Sequence, residues 1–237
     1  MAKKKNHSRD LLKLASTLGA SMVGVADLSL LENLETHPPN LLKNFKYAVS
    51  IAVALPKNAI ELITRQSPGE FYANSYKTAN MLLDQITFRI SDKISDLGSN
   101  SQPIPASIIV DENNLLGNAP HKAFARAAGL GWIGRNLLLI TPKYGPRIRL
   151  ATILTDLPLK PGNPLESQCE DCIICIDACP MGALKPTNFK EYPVRREDAF
   201  DAEKCNAHLT RIKEIPHIGA RICGICMKVC PIGRRAV

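Results

Sequence analysis

The sequence predicts an α+β protein in two parts. Residues 1–160 alternate between apolar residues at helical spacing and near-continuous apolar runs, a pattern typical of helices packed on a sheet. All eight cysteines lie after residue 168. A proline-rich stretch, Leu157–Pro164, separates the two compositions and indicates a junction. We therefore expect a first domain over residues 1–160 and a second over residues 161–237.

The first domain is expected to begin with a helix. Apolar residues recur at helical spacing from Ser8 to Gly19, and Gly19 suits the position after a helix end. Strands are expected over Ser21–Ala26 and over Tyr47–Pro56. The second of these runs is apolar nearly throughout, which predicts a central strand with both faces covered.

The rest of the first domain continues the alternation of helix and strand. A long helix is expected from about Glu70 to about Leu97, and a short one over Pro120–Ala128. Between them, a strand is expected over Ala106–Asp111, after two prolines. A hairpin is expected to join Leu137–Thr141 to Arg147–Leu154.

The cysteines form two runs whose spacing points to metal binding. The first run is Cys169-x2-Cys172-x2-Cys175-x3-Cys179-Pro180, and the second is Cys223-x2-Cys226-x3-Cys230-Pro231, preceded by Cys205. Four thiolates hold one [4Fe–4S] cluster, so eight cysteines supply two clusters with none left over. Zinc is one alternative, but zinc sites use two CxxC pairs rather than a three-cysteine run that ends in Cys-Pro. Disulfides are another, and they need an oxidising compartment.

The order of the two runs predicts how the cysteines divide between the clusters. In two-cluster ferredoxins the last cysteine of each run binds the other cluster. We therefore expect one cluster on Cys169, Cys172, Cys175 and Cys230, and the other on Cys205, Cys223, Cys226 and Cys179.

The charge is concentrated in the first part of the chain. Through Lys160 there are 19 basic and 12 acidic residues, against 11 and 10 after it. A basic surface suits a polyanion or a phosphate-bearing ligand, although a merely soluble surface explains it as well. No apolar run approaches the ~18 residues of a membrane span. We expect a cytoplasmic protein with no membrane partner.

A glycine-rich stretch, Gly129-Leu-Gly-Trp-Ile-Gly134-Arg-Asn, contains the only tryptophan of the chain. Three glycines in six residues indicate positive φ angles or a close approach to the backbone. The stretch lacks the lysine and hydroxyl residue of a P-loop. Its residues alone leave two interpretations open, a packing turn and a ligand-binding loop.

Taken together, these motifs resemble those of the epoxyqueuosine reductase family. The similar segments are residues 121–140, Leu150–Leu159, the two cysteine runs with Cys205-Asn-Ala-His-Leu-Thr210, and Tyr72-Ala-Asn-Ser-Tyr76 at the start of the long helix. The resemblance covers almost the whole chain from about Leu11. It implies a nitroreductase-like domain that binds cobalamin base-off, followed by a ferredoxin-like domain with two [4Fe–4S] clusters. It also implies an oxidoreductase supplied by a low-potential donor such as ferredoxin or flavodoxin.

The resemblance further implies which residues surround the cofactor. The residues expected to contact cobalamin are Tyr76, Gly131, Trp132, Arg135, Asn136 and Asn206. Asn206 follows the cluster ligand Cys205. Tyr76 has a plain alternative as a half-buried core phenol.

This chain departs from the family at the expected catalytic acid. The family carries an aspartate in a Val-Asp-x-Ala/Gly-Pro motif, whereas here Glu112 to Asn118 separate Val110-Asp111 from Ala119-Pro120. Asp111 is the first candidate proton donor, His121 the second and Tyr76 the third. The structural alternatives are a turn-forming aspartate and a histidine at a helix start.

A second departure is length, because epoxyqueuosine reductases continue into a helical-repeat domain that helps to hold tRNA. The expected function is a cobalamin-dependent iron–sulfur reductase that lacks this domain and acts on another substrate. One alternative is a compact epoxyqueuosine reductase that acts on tRNA. The other is a ferredoxin-like electron carrier or corrinoid reductase without substrate chemistry of its own.

Overall fold

The computed structural model describes residues 2–112 and 114–234, with side chains from residue 7 onward. The helices are α1 (Ala2–Thr17), α2 (Lys57–Glu61), α3 (Glu70–Asp96), α4 (His121–Ala127), α5 (Ile174–Asp177), α6 (Ala202–Lys213) and α7 (Ile225–Lys228). The strands are β1 (Met22–Asp27), β2 (Tyr47–Ala54), β3 (Ser101–Ile104), β4 (Trp132–Ile133), β5 (Leu139–Ile140) and β6 (Ile148–Thr155). The architecture is mixed α and β, as expected.

A four-stranded sheet has the order β1-β2-β6-β3. The two inner strands, β2 and β6, are buried along almost their whole length, because both carry apolar residues on both faces. β1 pairs antiparallel with β2, and β3 pairs antiparallel with β6. The central position predicted for the Tyr47 run is confirmed, as is the long helix, which spans 27 residues.

The strand expected over Ala106–Asp111 is wrong. The strand of this region, β3, comes earlier and includes Pro103. Proline is tolerated there because β3 is an edge strand, where a backbone N–H is not needed on the open side. The apolar residues that suggested a strand, Ile108, Ile109 and Val110, are more than 40% exposed and lie in a loop.

The predicted hairpin is also wrong. β5 pairs with β4 rather than with β6, and the register places Trp132 opposite Ile140. The turn between them is closed by the Gly134 N–H, which donates to the Leu138 carbonyl at 2.9 Å. β6 instead joins the large sheet, because a strand with two apolar faces must be covered on both.

The chain divides into two compact units that are each discontinuous in sequence. Unit 1 comprises residues 1–53, 80–131 and 149–165, and unit 2 comprises residues 54–79, 132–148 and 166–237. In unit 1, α1 and α4 pack on β1. The close packing depends on Gly24, where a Cβ would lie 2.8 Å from the Ala128 carbonyl oxygen. Among the residues described, no helix is long and apolar enough to cross a membrane.

Candidate functional site

The first cysteine run forms a tight turn followed by one turn of helix. The Cys172 N–H donates to the Cys169 carbonyl at 2.9 Å, and Glu170 inside this turn has a φ of +42°. Cys175 lies in α5, and the Cys179 N–H donates to the Ile176 carbonyl at the end of that helix. The run therefore presents its four thiols from one short, hydrogen-bonded segment.

The second group of cysteines is built on α6 and α7. The Asp201 side chain caps α6 by accepting from the Lys204 N–H, which fixes the helix that carries Cys205. Gly224, at a φ of +82°, precedes α7 and separates Cys223 from Cys226. A Cβ at Gly224 would lie 2.6 Å from the Ile63 side chain, so this bend requires glycine.

The electrostatic environment divides the thiols into two sets. Burial raises the pKa of Cys175 to about 11, and the negative charges of Cys230, Cys169 and Cys172 raise it further. Burial likewise raises the pKa of Cys205 to about 11, followed by the charges of Cys179 and Cys223. Thiolates repel one another in this way only when they are close.

Cys226 is near both sets. Burial is the largest cause of the raised pKa of Cys226. The negative charges of Cys223 and then of Cys175, Cys205 and Cys179 raise this pKa further. The structure thus brings Cys230 to the first run and Cys179 to the second group, the arrangement expected for crossed ligation. The assignment of each cysteine to a cluster stays a prediction.

The chemistry of this donor set fits iron–sulfur clusters. Eight half-buried thiols stand in two groups, and thiolates gathered there need cations to neutralise their mutual repulsion. Within the described parts of the chain, no three His, Cys, Asp or Glu side chains converge closely enough to hold a single metal ion. A cubane does not require such convergence, because each thiolate binds a different iron.

The glycine-rich stretch is a packing turn that also contains a buried polar group. Gly129 ends α4 at a φ of +77°, and a Cβ there would lie 2.5 Å from the Asn163 carbonyl oxygen. Gly131 is buried, and Trp132 is only 1% exposed. Among the described residues, the indole N–H of Trp132 has no hydrogen-bond partner. Such a buried donor is uncommon unless a ligand or water completes it.

Arg135 and Asn136 bind to the cysteine segments. The guanidinium of Arg135 donates through Nε to the Glu170 carbonyl oxygen at 3.1 Å, and its Nη2 donates to the same oxygen. The Nδ2 of Asn136 donates to the Cys226 carbonyl oxygen at 3.2 Å. These hydrogen bonds connect the end of the glycine-rich stretch to both cysteine runs.

The other two residues expected near cobalamin lie on helices. Tyr76 is half-buried on α3, and Asn206 is half-buried on α6, directly after Cys205. Their contact with a cofactor stays a prediction.

Asp111 stands in a turn rather than at a strand end. Its Oδ1 accepts from the Asn114 N–H at 2.9 Å, and its Oδ2 accepts from the Asn114 side-chain amide at 2.8 Å. Backbone hydrogen bonds to Leu116 close the loop. The segment that separates Asp111 from Ala119-Pro120 therefore loops out of the family motif. Asp111 stabilises this loop as a turn-forming aspartate does.

His121 is held at both ring nitrogens. Nε2 lies 2.9 Å from the Pro105 carbonyl oxygen, and Nδ1 lies 2.9 Å from the Thr152 hydroxyl. A carbonyl only accepts, so Nε2 carries the proton and Nδ1 accepts from Thr152. Burial lowers the pKa of His121 to about 4, against the opposing effect of the Pro105 hydrogen bond, so the ring is neutral near pH 7.

His208 is a candidate site residue beside the predicted cluster ligand Cys205, and the sequence did not predict it. It lies on α6 three residues after Cys205, and within the described structure its buried Nε2 has no hydrogen-bond partner. Burial, followed by the charge of Arg211, lowers its pKa. The available signal was the spacing of three residues, which places Cys205 and His208 on one side of a helix.

Comparison with known proteins agrees with these features. A family model described as a 4Fe-4S double cluster binding domain matches residues 168–233. An epoxyqueuosine reductase of Bacillus anthracis is 29% identical over 262 residues, which covers 94% of this chain and 63% of that protein. This chain thus spans less than two thirds of the length of that relative.

Two solved structures share the fold. An epoxyqueuosine reductase with a tRNA-Tyr epoxyqueuosine-modified stem loop matches with a TM-score of 0.64 and 23% identity, over 95% of this chain and 64% of that one. A reductive dehalogenase described in terms of B12-dependent dehalogenation matches with a TM-score of 0.76 and 22% identity, over 98% of this chain and 32% of that one. The sequence resemblance is confirmed: this chain is similar to the epoxyqueuosine reductases over most of its length, and residues 168–233 match a 4Fe-4S double cluster binding domain.

Proposed function

We propose that this chain is a cobalamin-dependent iron–sulfur reductase. The observation that carries the proposal is the proximity of Cys230 to the first run and of Cys179 to the second group, within residues that match a 4Fe-4S double cluster binding domain. The fold, which is shared with a B12-dependent dehalogenase and an epoxyqueuosine reductase, supports the same function. We further propose that residues 1–160 have the nitroreductase-like architecture of those enzymes, and that a low-potential ferredoxin or flavodoxin supplies electrons in the cytoplasm.

Two observations support a large cofactor at the residues that the resemblance assigns to it. Among the described residues, the indole N–H of Trp132 is a buried donor without a hydrogen-bond partner, which an acceptor on the cofactor would satisfy. Tyr76 and Asn206 are half-buried polar residues that the family resemblance assigns to the cofactor. Base-off cobalamin would be held by these groups together with Gly131. When bound, it supplies a redox-active cobalt whose chemistry no side chain can imitate.

The protein's own residues contribute electron supply and a proton. The cysteines hold the clusters that bring electrons to the site. A reductive cleavage also needs a proton donor within about 2.6–3.2 Å of the substrate or one water away. Asp111 remains the first candidate, because its carboxylate stands on a loop and accepts from Asn114 of that same loop. His121 is less suited, since both of its nitrogens are engaged within the fold.

The test is anaerobic reconstitution with iron, sulfide and cobalamin. The proposal expects about eight irons and eight labile sulfides per chain, and tight binding of cob(II)alamin with a base-off electron paramagnetic resonance signal. Zinc at one or two per chain without sulfide would overturn the cluster assignment. Absence of binding at micromolar cobalamin would overturn the cofactor assignment.

A specific observation favours one rival, the electron carrier. The carboxylate of Asp111 and the imidazole of His121 are both occupied by internal hydrogen bonds, as structural residues would be. Asp111→Asn separates the two readings, with Glu112→Gln on the same loop as the control. In an enzyme, Asp111→Asn lowers turnover by roughly 10²–10⁴ and leaves cofactor binding intact. In a carrier, it leaves electron delivery to a partner unchanged.

The substrate class is part of the same test. The basic surplus through Lys160 and the tRNA-bound relative favour tRNA as one candidate. Small electrophiles such as organohalides are the other, by analogy with the dehalogenase. Assaying the reconstituted protein on epoxyqueuosine-containing tRNA and on organohalides decides between them.

A further inference from the structure

Two adjacent side chains each bind a different cysteine segment of unit 2. Arg135 donates twice to the carbonyl oxygen of Glu170, which lies between Cys169 and Cys172. Asn136 donates to the carbonyl oxygen of Cys226, at the centre of the second run. One dipeptide, directly after Gly134, therefore connects to both runs at once.

The Arg135 contact supports an unfavourable backbone conformation. Glu170 has a φ of +42°, which is uncommon for a residue with a side chain. Its carbonyl oxygen accepts hydrogen bonds from two nitrogens of one planar guanidinium, Nε and Nη2, a geometry that a lysine cannot reproduce. The guanidinium also brings a fixed positive charge to the turn that carries two ligands of one predicted cluster. Positive charge beside a cluster favours its reduced, more negative state.

The Asn136 contact has a fixed direction. Its Oδ1 accepts from the Leu138 N–H at 3.1 Å, so the other end of the amide must be the NH2 group that faces Cys226. The side chain is only 6% exposed, and Gly134 leaves room for it, because a Cβ there would lie 2.8 Å from Asn136 Oδ1. Little of Asn136 is left to contact a cofactor directly.

We propose that Arg135 and Asn136 are positioning residues for the two clusters, one for each, rather than direct cobalamin contacts. Arg135 holds the Cys169–Cys172 turn and raises the reduction potential of the cluster on Cys169, Cys172, Cys175 and Cys230. Asn136 orients Cys226 and thereby acts on the other cluster. The inference rests on the clusters of the proposed function but not on its cobalamin, so it can be tested with cobalamin absent.

The experiment is a redox titration of anaerobic, cluster-loaded protein, followed by electron paramagnetic resonance. Cys169→Ser and Cys205→Ser identify which signal belongs to which cluster. Arg135→Gln is expected to disfavour reduction of the Cys169 cluster about tenfold, about 59 mV for a one-electron couple, and to leave the other cluster unchanged. Asn136→Ala is expected to shift the potential of the Cys205 cluster and to lower its iron content.

The controls separate charge from folding. Arg149→Gln removes a guanidinium that bonds to Asn80 and Ala106 in unit 1, and it is expected to shift neither potential. Arg135→Lys keeps the charge and loses the double hydrogen bond, so its potential should lie closer to wild type than that of Arg135→Gln. If Arg135→Gln fails to bind iron, the reduction potential of Arg135→Lys still tests the contribution of the double hydrogen bond.

Other results overturn the proposal. These are unchanged potentials in both variants, a shift of the same cluster in both, or equal shifts in the lysine and glutamine variants. If the variants bind cobalamin more weakly and their reduction potentials are unchanged, Arg135 and Asn136 contact cobalamin directly, as the sequence predicted. Absence of clusters in the wild-type protein would instead contradict the proposed function itself.

Discussion

At the scale of single residues, the imidazole of His121 is locked in its neutral form. The Pro105 carbonyl accepts its Nε2–H, and the Thr152 hydroxyl donates to Nδ1. A second proton, on Nδ1, would point at the hydroxyl that now donates to this nitrogen. The resulting imidazolium would also be shielded from water, and this burial is the largest cause of the lowered pKa. Arg149 adds a smaller effect of the same sign. His121 therefore joins the first turn of α4 to the sheet.

This arrangement predicts a pH-dependent stability. The pKa of His121 is about 4 in the folded chain, against 6.5 for an ordinary histidine exposed to water, so between these pH values the unfolded state binds the extra proton. The free energy of unfolding should therefore fall as the pH falls, by about 1 kcal/mol from His121 alone between pH 7 and pH 5.5. Urea unfolding followed by circular dichroism at both pH values measures it.

The variant His121→Gln keeps a donor for Pro105 but cannot take up a proton. It should lose most of this pH dependence. His217→Asn removes an exposed imidazole at a left-handed position that asparagine tolerates, so it should behave as wild type. The assignment is wrong if His121→Gln has the same slope as the wild-type protein.

At the scale of the elements, the end of α4 depends on a backbone contact that no side chain permits. Gly129 combines a φ of +77° with a potential Cβ contact of 2.5 Å to the Asn163 carbonyl oxygen. Gly98, after α3, has nearly the same φ of +75°, yet a Cβ there would meet nothing within 4 Å. The two glycines thus differ in packing and share their backbone strain.

Gly129→Ala is expected to destabilise the protein by about 2–4 kcal/mol, the sum of the strain at positive φ and of overpacking. Gly98→Ala should cost about 1 kcal/mol, from the strain alone. The difference between the two in urea unfolding isolates the close approach to Asn163. Equal costs would mean that the backbone at residues 162–163 moves away freely.

The cysteine runs predict an exchange of ligands between elements. Cys230 follows α7 but is among the charges that raise the pKa of Cys175, and Cys179 follows α5 but raises that of Cys205. Cys230→Ser should therefore damage the cluster of the first run, and Cys179→Ser the cluster of the second. Electron paramagnetic resonance of the reduced variants measures which signal is lost. Damage to the cluster of each cysteine's own run would rule out crossing.

The elements also show where sequence patterns succeed and fail. Long periodic segments such as α3 and the two-sided apolar run of β2 were predictable, because burial dictates their composition. The apolar residues before Asp111 did not form a strand, because the sheet edge was taken by Ser101–Ile104 and the following segment stayed exposed. The partner of β6 was not predictable either, since strand pairing is a tertiary property.

At the scale of the whole molecule, the cysteines were predictable as ligands because their spacing reports the chemistry directly. Their support was not. Arg135 and Asn136 bind cysteine segments from far away in sequence, and Gly224 is packed against Ile63. Such contacts leave no local pattern in the sequence. The domain boundary that we expected at residue 160 from composition therefore takes no account of them.

This organisation leads to a prediction about the fragment 161–237. Unit 2 also contains residues 54–79 and 132–148, which hold the cysteine segments in place. Within it, the Lys228 ammonium donates to the Ile63 carbonyl at 2.6 Å, and Gly145 lies so close to Ile232 that a Cβ would clash. The fragment alone loses all of these contacts.

We therefore expect fragment 161–237, reconstituted anaerobically, to bind well below the eight irons expected of the full chain. The full-length protein treated in parallel is the control, and iron and labile sulfide analysis is the measurement. A fragment that holds both clusters with the potentials of the full chain would mean that residues 161–237 are an independent domain. It would also mean that Arg135 and Asn136 are dispensable to the clusters, because the fragment lacks both.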